Sequence, residues 1–261
     1  MPNTANLKGT FDTAVSVYEK FRPGYVEELY QRIFSHVSLG PTSKAVEIGI
    51  GAGQATLPIL RTGCQVKAVE YGENFSALCR KKFQDYPNFL VLTGKFEDAS
   101  LEEASCDLVY SATAFHWIPE EIGYPKVFSI LKKGGVFARF ANHPLPDKSN
   151  PALLTEEIDA LYEKYMGVSH PAEFCEEKAK ELSEIALHYG FEETSYALYH
   201  RTRTFTARDY IGLLGTYSDH IALEESRRKA LFTGIEQAIQ RYGGTITLHD
   251  TIDLELAKKP E

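Results

Sequence analysis

One short run constrains this chain more than any other: Glu47-Ile48-Gly49-Ile50-Gly51-Ala52-Gly53-Gln54, which closes an apolar stretch at 44–48 and opens a helical pattern at 54–61. Glycines at alternate positions let a backbone turn sharply at the end of a strand and approach a ligand without side-chain interference. A second apolar stretch, 65–70, follows the helix and ends on Glu70, 19 residues beyond Gly51. A carboxylate at that place can accept both hydroxyls of a ribose. A lone glycine triplet says little. Here strand, loop, helix, strand and acid fall in order, and together they predict a nucleoside-binding βαβ unit. The competing reading is a plain strand-to-helix turn with a surface glutamate.

The neighbouring sequence extends the pattern. Apolar runs at 44–48, 65–70, 89–93, 107–111 and 136–141 read as strands, alternating with helical periodicity at 54–61, 73–84 and 120–131. Such alternation implies crossover connections and a parallel sheet with helices on both faces. An earlier helix is expected over 23–37, with Pro23 at its first position. The stretch 142–151 holds three prolines and no periodicity, and predicts a loop or hinge. Beyond it, helices are expected at 152–165, 173–189, 207–214 and 223–242, with strands at 194–204 and 245–256. Periodicity alone does not orient the final strand.

Composition removes several classes of function. The 261 residues carry a formal charge of −8, with 28 basic against 36 acidic side chains, so no global field draws in a phosphate backbone. No apolar run approaches the ~20 residues of a membrane helix, and the first 20 residues lack a signal-type stretch. Cys64, Cys79, Cys106 and Cys175 form no CxxC pair and read as reduced thiols in a cytoplasmic protein, the first three in apolar surroundings. His143, His170, His188, His200, His220 and His249 show no HxH or HxxxH spacing, so no metal site is expected.

The glycine spacing separates two ligand classes. Dinucleotide folds use GxGxxG, whereas this chain has GxGxG after an acid inside the strand, and Gln54 stands where the third glycine belongs. In this it resembles the class I S-adenosylmethionine (SAM)-dependent methyltransferases. The likeness extends from about 11 to 141. Phe11-Asp12 through Tyr18-Glu19-Lys20-Phe21-Arg22-Pro23-Gly24-Tyr25 is similar to the amino-terminal segment of small-molecule methyltransferases of the ubiquinone/menaquinone and trans-aconitate type. Asp107 to Trp117, ending in His116-Trp117, resembles their fourth strand and following turn, and Leu131-Lys132-Lys133-Gly134-Gly135 their turn into strand five. From 142 onward the agreement is one of helix count and final strand, by analogy.

The resemblance implies roles for individual residues. Gly49, Gly51 and Gly53 would form the loop around the amino-acid part of the cofactor, Glu47 would lie near its ammonium, and Glu70, followed by Tyr71, would take the ribose. Relatives often place an aspartate after strand three for the adenine amino group. Here Lys95 occupies that position and cannot accept an N–H bond. Glu97 or a backbone carbonyl is then the candidate adenine contact, with Phe96 against the ring; the alternative for Glu97 is a solvated loop acid. Tyr18 and Arg22 would close over the cofactor, the alternatives being a packed aromatic and a surface charge. Ser111 ends strand four and would line the site through its backbone, with His116 and Trp117 beside it.

Methyl transfer from a sulfonium is an in-line displacement that asks mainly for orientation and a desolvated pocket, and needs a base only where the acceptor must lose a proton. His116 is the best placed titratable group; its alternative is a histidine capping the turn beside Trp117. Tyr217 and His220, in the run Tyr217-Ser218-Asp219-His220, and His143 after strand five are candidates for the acceptor pocket, against a polar interhelical turn.

The expected fold is therefore α/β, a doubly wound, seven-stranded, mostly parallel Rossmann-like sheet with an inserted helical lid. Its expected divisions are a cofactor-covering segment and helix at 1–37, a SAM-binding core at 38–141, a helical lid or substrate region at 142–242 and a final strand and tail at 243–261. The expected activity is methyl transfer from SAM to a small-molecule acceptor, releasing S-adenosylhomocysteine. No nucleic-acid or membrane partner is expected. The rivals are a SAM-fold protein that binds without catalysis or serves as a partner subunit, and, further off, an NAD(P)-dependent oxidoreductase. A nucleic-acid methyltransferase would want a basic face or a base-flipping signature, and 111–115 has neither.

Overall fold

The computed structural model describes residues 15–168 and 172–261. Phe11, Asp12, His170 and Pro171 lie outside the described residues. The chain divides into two compact units and passes between them at 22–23, 142–143, 173–174, 199–200 and 251–252.

The sheet unit comprises 23–142, 174–199 and 252–261. Its strands are β1 (Lys44–Ile48), β2 (Gln65–Glu70), β3 (Phe89–Thr93), β4 (Cys106–Ala112), β5 (Leu131–Pro146), β6 (Glu192–Thr206) and β7 (Thr245–Lys258), in the order β3-β2-β1-β4-β5-β7-β6. The first five pair in parallel, with Ile48 opposite Val69 on one side and Ser111 on the other. Parallel strands buried on both faces read as nearly continuous apolar runs, and β1 is of this kind beyond Lys44. β7 runs against its neighbours: Thr204 meets Thr247 where His200 meets Thr251, and Asp147 meets Thr247 where Ala141 meets Asp253.

Two helices, α1 (Val15–Phe21) and α2 (Glu27–His36), precede the sheet in sequence; α3 (Thr56–Leu60), α4 (Glu73–Lys82), α5 (Glu120–Ile130) and α7 (Glu176–Ile185) follow β1, β2, β4 and α6 respectively. One face of the sheet carries Leu29, Ile33, Ile59, Cys79 and Phe83 against Ala45, Val66 and Leu108. The other carries Tyr124, Val127, Ile130 and Phe191 against Val46, Val109 and Phe137.

Two expectations need correcting. Pro23 does not begin a helix. Val26 is extended (ψ 151°), and α2 starts at Glu27. Tyr25 explains the delay, since its ring meets Phe140 edge-on at 4.7 Å and its hydroxyl bonds Thr113, uses a helix would deny it. Nor is the proline-bearing stretch after Ala141 wholly a loop, because β5 continues to Pro146. Pairing with β4 ends at Ala112 and Phe140, so Pro144 and Pro146 lie beyond it, where a missing N–H breaks no bond to that neighbour.

The helical unit holds the described parts of 1–22 and 143–173, together with 200–251. Its helices α1, α6 (Ala152–Met166), α8 (Ala207–Leu214), the single turn α9 (Ser218–Ile221) and α10 (Glu225–Arg241) enclose Leu154, Ile158, Leu213, Leu231, Ile235 and Ile246. A boundary falls between Asn142 and His143, while 174–199 and 252–261 group with the sheet core and 15–22 with the helices. Gly167 (φ +68°) and Gly190 (φ +88°) end their helical segments in the left-handed conformation that favours glycine. Cys64, Cys79 and Cys106 are buried and take part in no disulfide among the described residues. Among the described residues no helix is long and apolar enough to cross a membrane.

Asp250, fully buried, accepts from Arg201 Nε at 2.9 Å and from Arg203 Nη2 at 2.8 Å. Its replacement by alanine would leave two guanidiniums facing a void. Asp250→Ala is expected to cost roughly 3 kcal/mol in urea unfolding of the helical unit, and a loss below ~1 kcal/mol would show the pair to be solvent-screened.

Candidate functional site

The sheet's carboxyl edge places the sequence motif as a physical object. β1 ends at Ile48, and Gly49, Gly51 and Gly53 take φ values of +70°, +54° and +76°. Gly49 has a second reason to be glycine. A Cβ there would stand 2.4 Å from Ala114 Cβ, so the loop can lie against the end of β4 only without one. The helix after the loop begins at Thr56, two residues later than its periodicity suggests.

Glu47 is 1% exposed. Its Oε2 accepts from Thr56 Oγ1 at 2.7 Å and from the Tyr110 hydroxyl at 2.8 Å, while Oε1 has no partner among the described residues. Burial pushes its pKa up to about 8, against the two hydrogen bonds that lower it, and the charge of Glu70 adds to the rise. A buried carboxylate with one oxygen uncommitted is a site prepared for a cationic donor.

Glu70 ends β2 and ties two turns together. Its Oε2 accepts from Gly51 N–H at 2.9 Å and its Oε1 from Gly72 N–H at 2.8 Å. Tyr71, next in sequence, is 49% exposed.

At the end of β4, Ser111 is buried and its hydroxyl donates to Ile48 O at 3.0 Å, fastening β4 to β1 at the loop. Thr113 has a φ of +54°, a genuine outlier for a β-branched residue. Its amide donates to Phe140 O at 2.8 Å and its hydroxyl shares a 2.7 Å bond with Tyr25. Neither Tyr25 nor Thr113 was a sequence candidate. The Pro-Gly before Tyr25 was a signal; nothing in the sequence marks a strained threonine. The next turn, Phe115–Trp117, is anchored by buried Phe115 and leaves His116 exposed, its ring 5.1 Å from Trp117.

Past β3 the structure differs from expectation. Phe96 is 4% exposed and belongs to the core beside Val46 and Val69, so its ring is not presented to a ligand. Lys126 lies over that ring at 5.2 Å and donates to the carbonyls of Glu97 at 2.9 Å and Ala99 at 2.7 Å. The lysine thus fixes the loop that carries the half-buried Glu97; Lys95 is exposed.

The remaining candidates belong to the helical unit. Arg22 is no loose surface charge: Nε donates to Thr216 Oγ1 at 2.9 Å, Nη2 to Thr216 O at 3.0 Å, and the guanidinium lies 5.1 Å from the Tyr18 ring and 4.3 Å from that of Tyr217. His220 is buried, with Nε2 3.0 Å from the Tyr162 hydroxyl and Nδ1 2.7 Å from Asp219 Oδ1. Tyr18, Arg22, Tyr217 and His220 are therefore one cluster. His143 is half-buried on β5 of the same unit.

Known proteins resemble the chain in sequence and in fold. Residues 46–139 match the methyltransferase-domain family. An uncharacterized methyltransferase of Schizosaccharomyces pombe is 27% identical over 88% of this chain and 87% of its own. A putative type II methyltransferase from Anaeromyxobacter dehalogenans superposes with a TM-score of 0.67 at 21% identity, over 92% of this chain and 100% of that one. Phosphoethanolamine N-methyltransferase 2 of Haemonchus contortus, solved with phosphomonomethylethanolamine and S-adenosylhomocysteine, does so at 0.56 and 15%, over 96% and 58%. Residues 46–139 are a methyltransferase domain, and the fold that surrounds them is shared with solved methyltransferases.

Proposed function

We propose that the chain transfers a methyl group from SAM to a small-molecule acceptor. The observation that carries this reading is the uncommitted Oε1 of buried Glu47 beneath the glycine loop. It fits the ammonium of an amino-acid moiety and has no use in a pyrophosphate site. When bound, the cofactor supplies a methyl group already activated by a positive sulfur. Glu47 gives up its proton to hold the ammonium, because an adjacent cation favours the charged carboxylate. Glu70 keeps the loop in place through Gly51 and Gly72 and is the proposed ribose contact. Tyr71 and Glu97 flank it, Glu97 on the adenine side. Gly49 and Gly53 let backbone approach where side chains would exclude it, and Ser111 holds the floor.

His116 stands in the exposed turn after β4 and serves as base where the acceptor must lose a proton; Trp117 limits water there. Tyr18 and Arg22 keep their proposed covering role, and Tyr217, His220 and His143 their proposed role toward the acceptor. Support for the latter is buried His220, whose ring bonds the Tyr162 hydroxyl on one side and the exposed Asp219 carboxylate on the other. The small acceptor named for the H. contortus enzyme favours the same class, as does the absence of a basic excess in this acidic chain.

The direct test follows S-adenosylhomocysteine release from SAM across a panel of small amines, carboxylates and phenols. Release above background with at least one acceptor is expected. SAM binding with no release from any of them would favour the non-catalytic reading. Glu70→Ala should weaken SAM binding by more than ~1 kcal/mol, and unchanged affinity in the folded variant would remove the ribose contact.

Glu47 also predicts a pH dependence. Its folded pKa of about 8 lies above the ordinary 4.5, so the folded chain keeps a proton that the unfolded chain has released. The associated stability is full below that window and is lost as pH rises through it. Without ligand, wild type should therefore lose melting temperature relative to Glu47→Gln between about pH 5 and 8. A constant difference would show Glu47 to be ionised throughout.

A further inference from the structure

The strands that carry the glycine loop at their carboxyl ends also frame a cavity at their amino ends. It measures about 300 Å³, a size at the lower limit of small-molecule pockets. Its position follows from the connections. α3 and α4 pack their apolar side chains on one face of β1–β3, with Ile59, Leu60, Cys79 and Phe83 in a single cluster. On the opposite face the crossover from β3 to β4, residues 94–105, contains no helix and brings Phe96, Ala99 and Leu101 there. A parallel sheet normally has both faces covered. Here the amino-terminal part of that face stays open, and Leu90 is 52% exposed on it.

The floor is set by strand register. Val46 pairs with Lys67 and Lys67 with Leu90, so the three side chains lie side by side across neighbouring strands, a span of about 10 Å. A lysine in the middle of an interior parallel strand is an unusual residue choice. Lys67 is half-buried, and among the described residues no hydrogen bond or ion pair engages it. The other charged groups on the cavity, Lys44 and Glu102, pair with each other at 3.3 Å. Leu101 and Cys106 line one side and Phe89 another. The cavity therefore offers an apolar floor, one neutralised rim pair and a single uncompensated ammonium.

We propose that this cavity is a second ligand site, separate from the methyltransferase site, that binds a small organic carboxylate with an apolar body. The carboxylate pairs with Lys67 Nζ, and the body lies across Val46 and Leu90. An anion matches the net positive lining, an apolar chain matches the floor, and the volume excludes anything as large as a nucleotide cofactor.

The experiment is an amide-shift titration of the ¹⁵N-labelled full chain with sodium octanoate, with octanol as the neutral counterpart. Shifts are expected at 44–46, 65–67, 88–90 and 101–106, leaving 49–53 unmoved. Octanol should bind at least tenfold more weakly. Lys67→Met should weaken octanoate at least tenfold, Lys67→Arg should keep its affinity within about threefold, and Leu90→Glu should abolish binding. Absence of shifts through millimolar octanoate would overturn the proposal. So would equal affinity for octanol, or full affinity in Lys67→Met, since Lys67 would then only shield apolar surface with its alkyl stem.

Discussion

The carboxylate of Glu70 is the constraint on which the rest of the site depends. It spans the ends of two parallel strands, holding Gly51 with one oxygen and Gly72 with the other. Charge-assisted bonds from backbone amides are stronger than neutral ones, and they fix a loop that glycine alone would leave free. With Gly51 held, Gly49 lies against Ala114 and Glu47 stays shut beneath, committed through Oε2 to Thr56 and Tyr110. Burial keeps the pKa of this acid raised, and among the described residues no donor meets Oε1. Stability is given up locally so that a ligand can restore it.

The end of β4 repeats this economy in backbone form. Thr113 accepts a left-handed conformation because Phe140 O and the Tyr25 hydroxyl hold it there. Tyr25 in turn is held by Phe140, and the segment before α2 stays extended. Strain of this kind persists where its surroundings over-determine it. It borders the turn that carries His116, so backbone geometry rather than a crowd of catalytic groups distinguishes this edge. That accords with a reaction in which placement supplies most of the rate.

Much of the sheet was legible because parallel strands are buried on both faces and their apolar runs are nearly continuous. The first three strands fall on the expected residues, 44–48, 65–70 and 89–93. The glycine loop was legible because positive φ and close approach leave few other residues possible. What escaped depends on partners distant in sequence. Tyr25 reads as part of a helix until Thr113, 88 positions away, is in place. The surface-charge alternative for Arg22 falls only once Thr216 and Tyr217 enclose it. Phe96 reads as a ligand-facing ring, but core packing under Lys126 takes it inward. The strand through Pro144 and Pro146 was hidden because the composition of a loop also suits a strand past the end of its neighbour.

The central claim is that the loop between β1 and α3, backed by Glu47 and Glu70, is built for an amino-acid-bearing nucleoside. Calorimetric titration of the purified chain with S-adenosylhomocysteine and NADH, side by side, tests it most directly. The structure predicts micromolar binding of S-adenosylhomocysteine, about −8 kcal/mol, and no measurable heat with NADH. Binding of NADH alone, or of neither ligand, would contradict it.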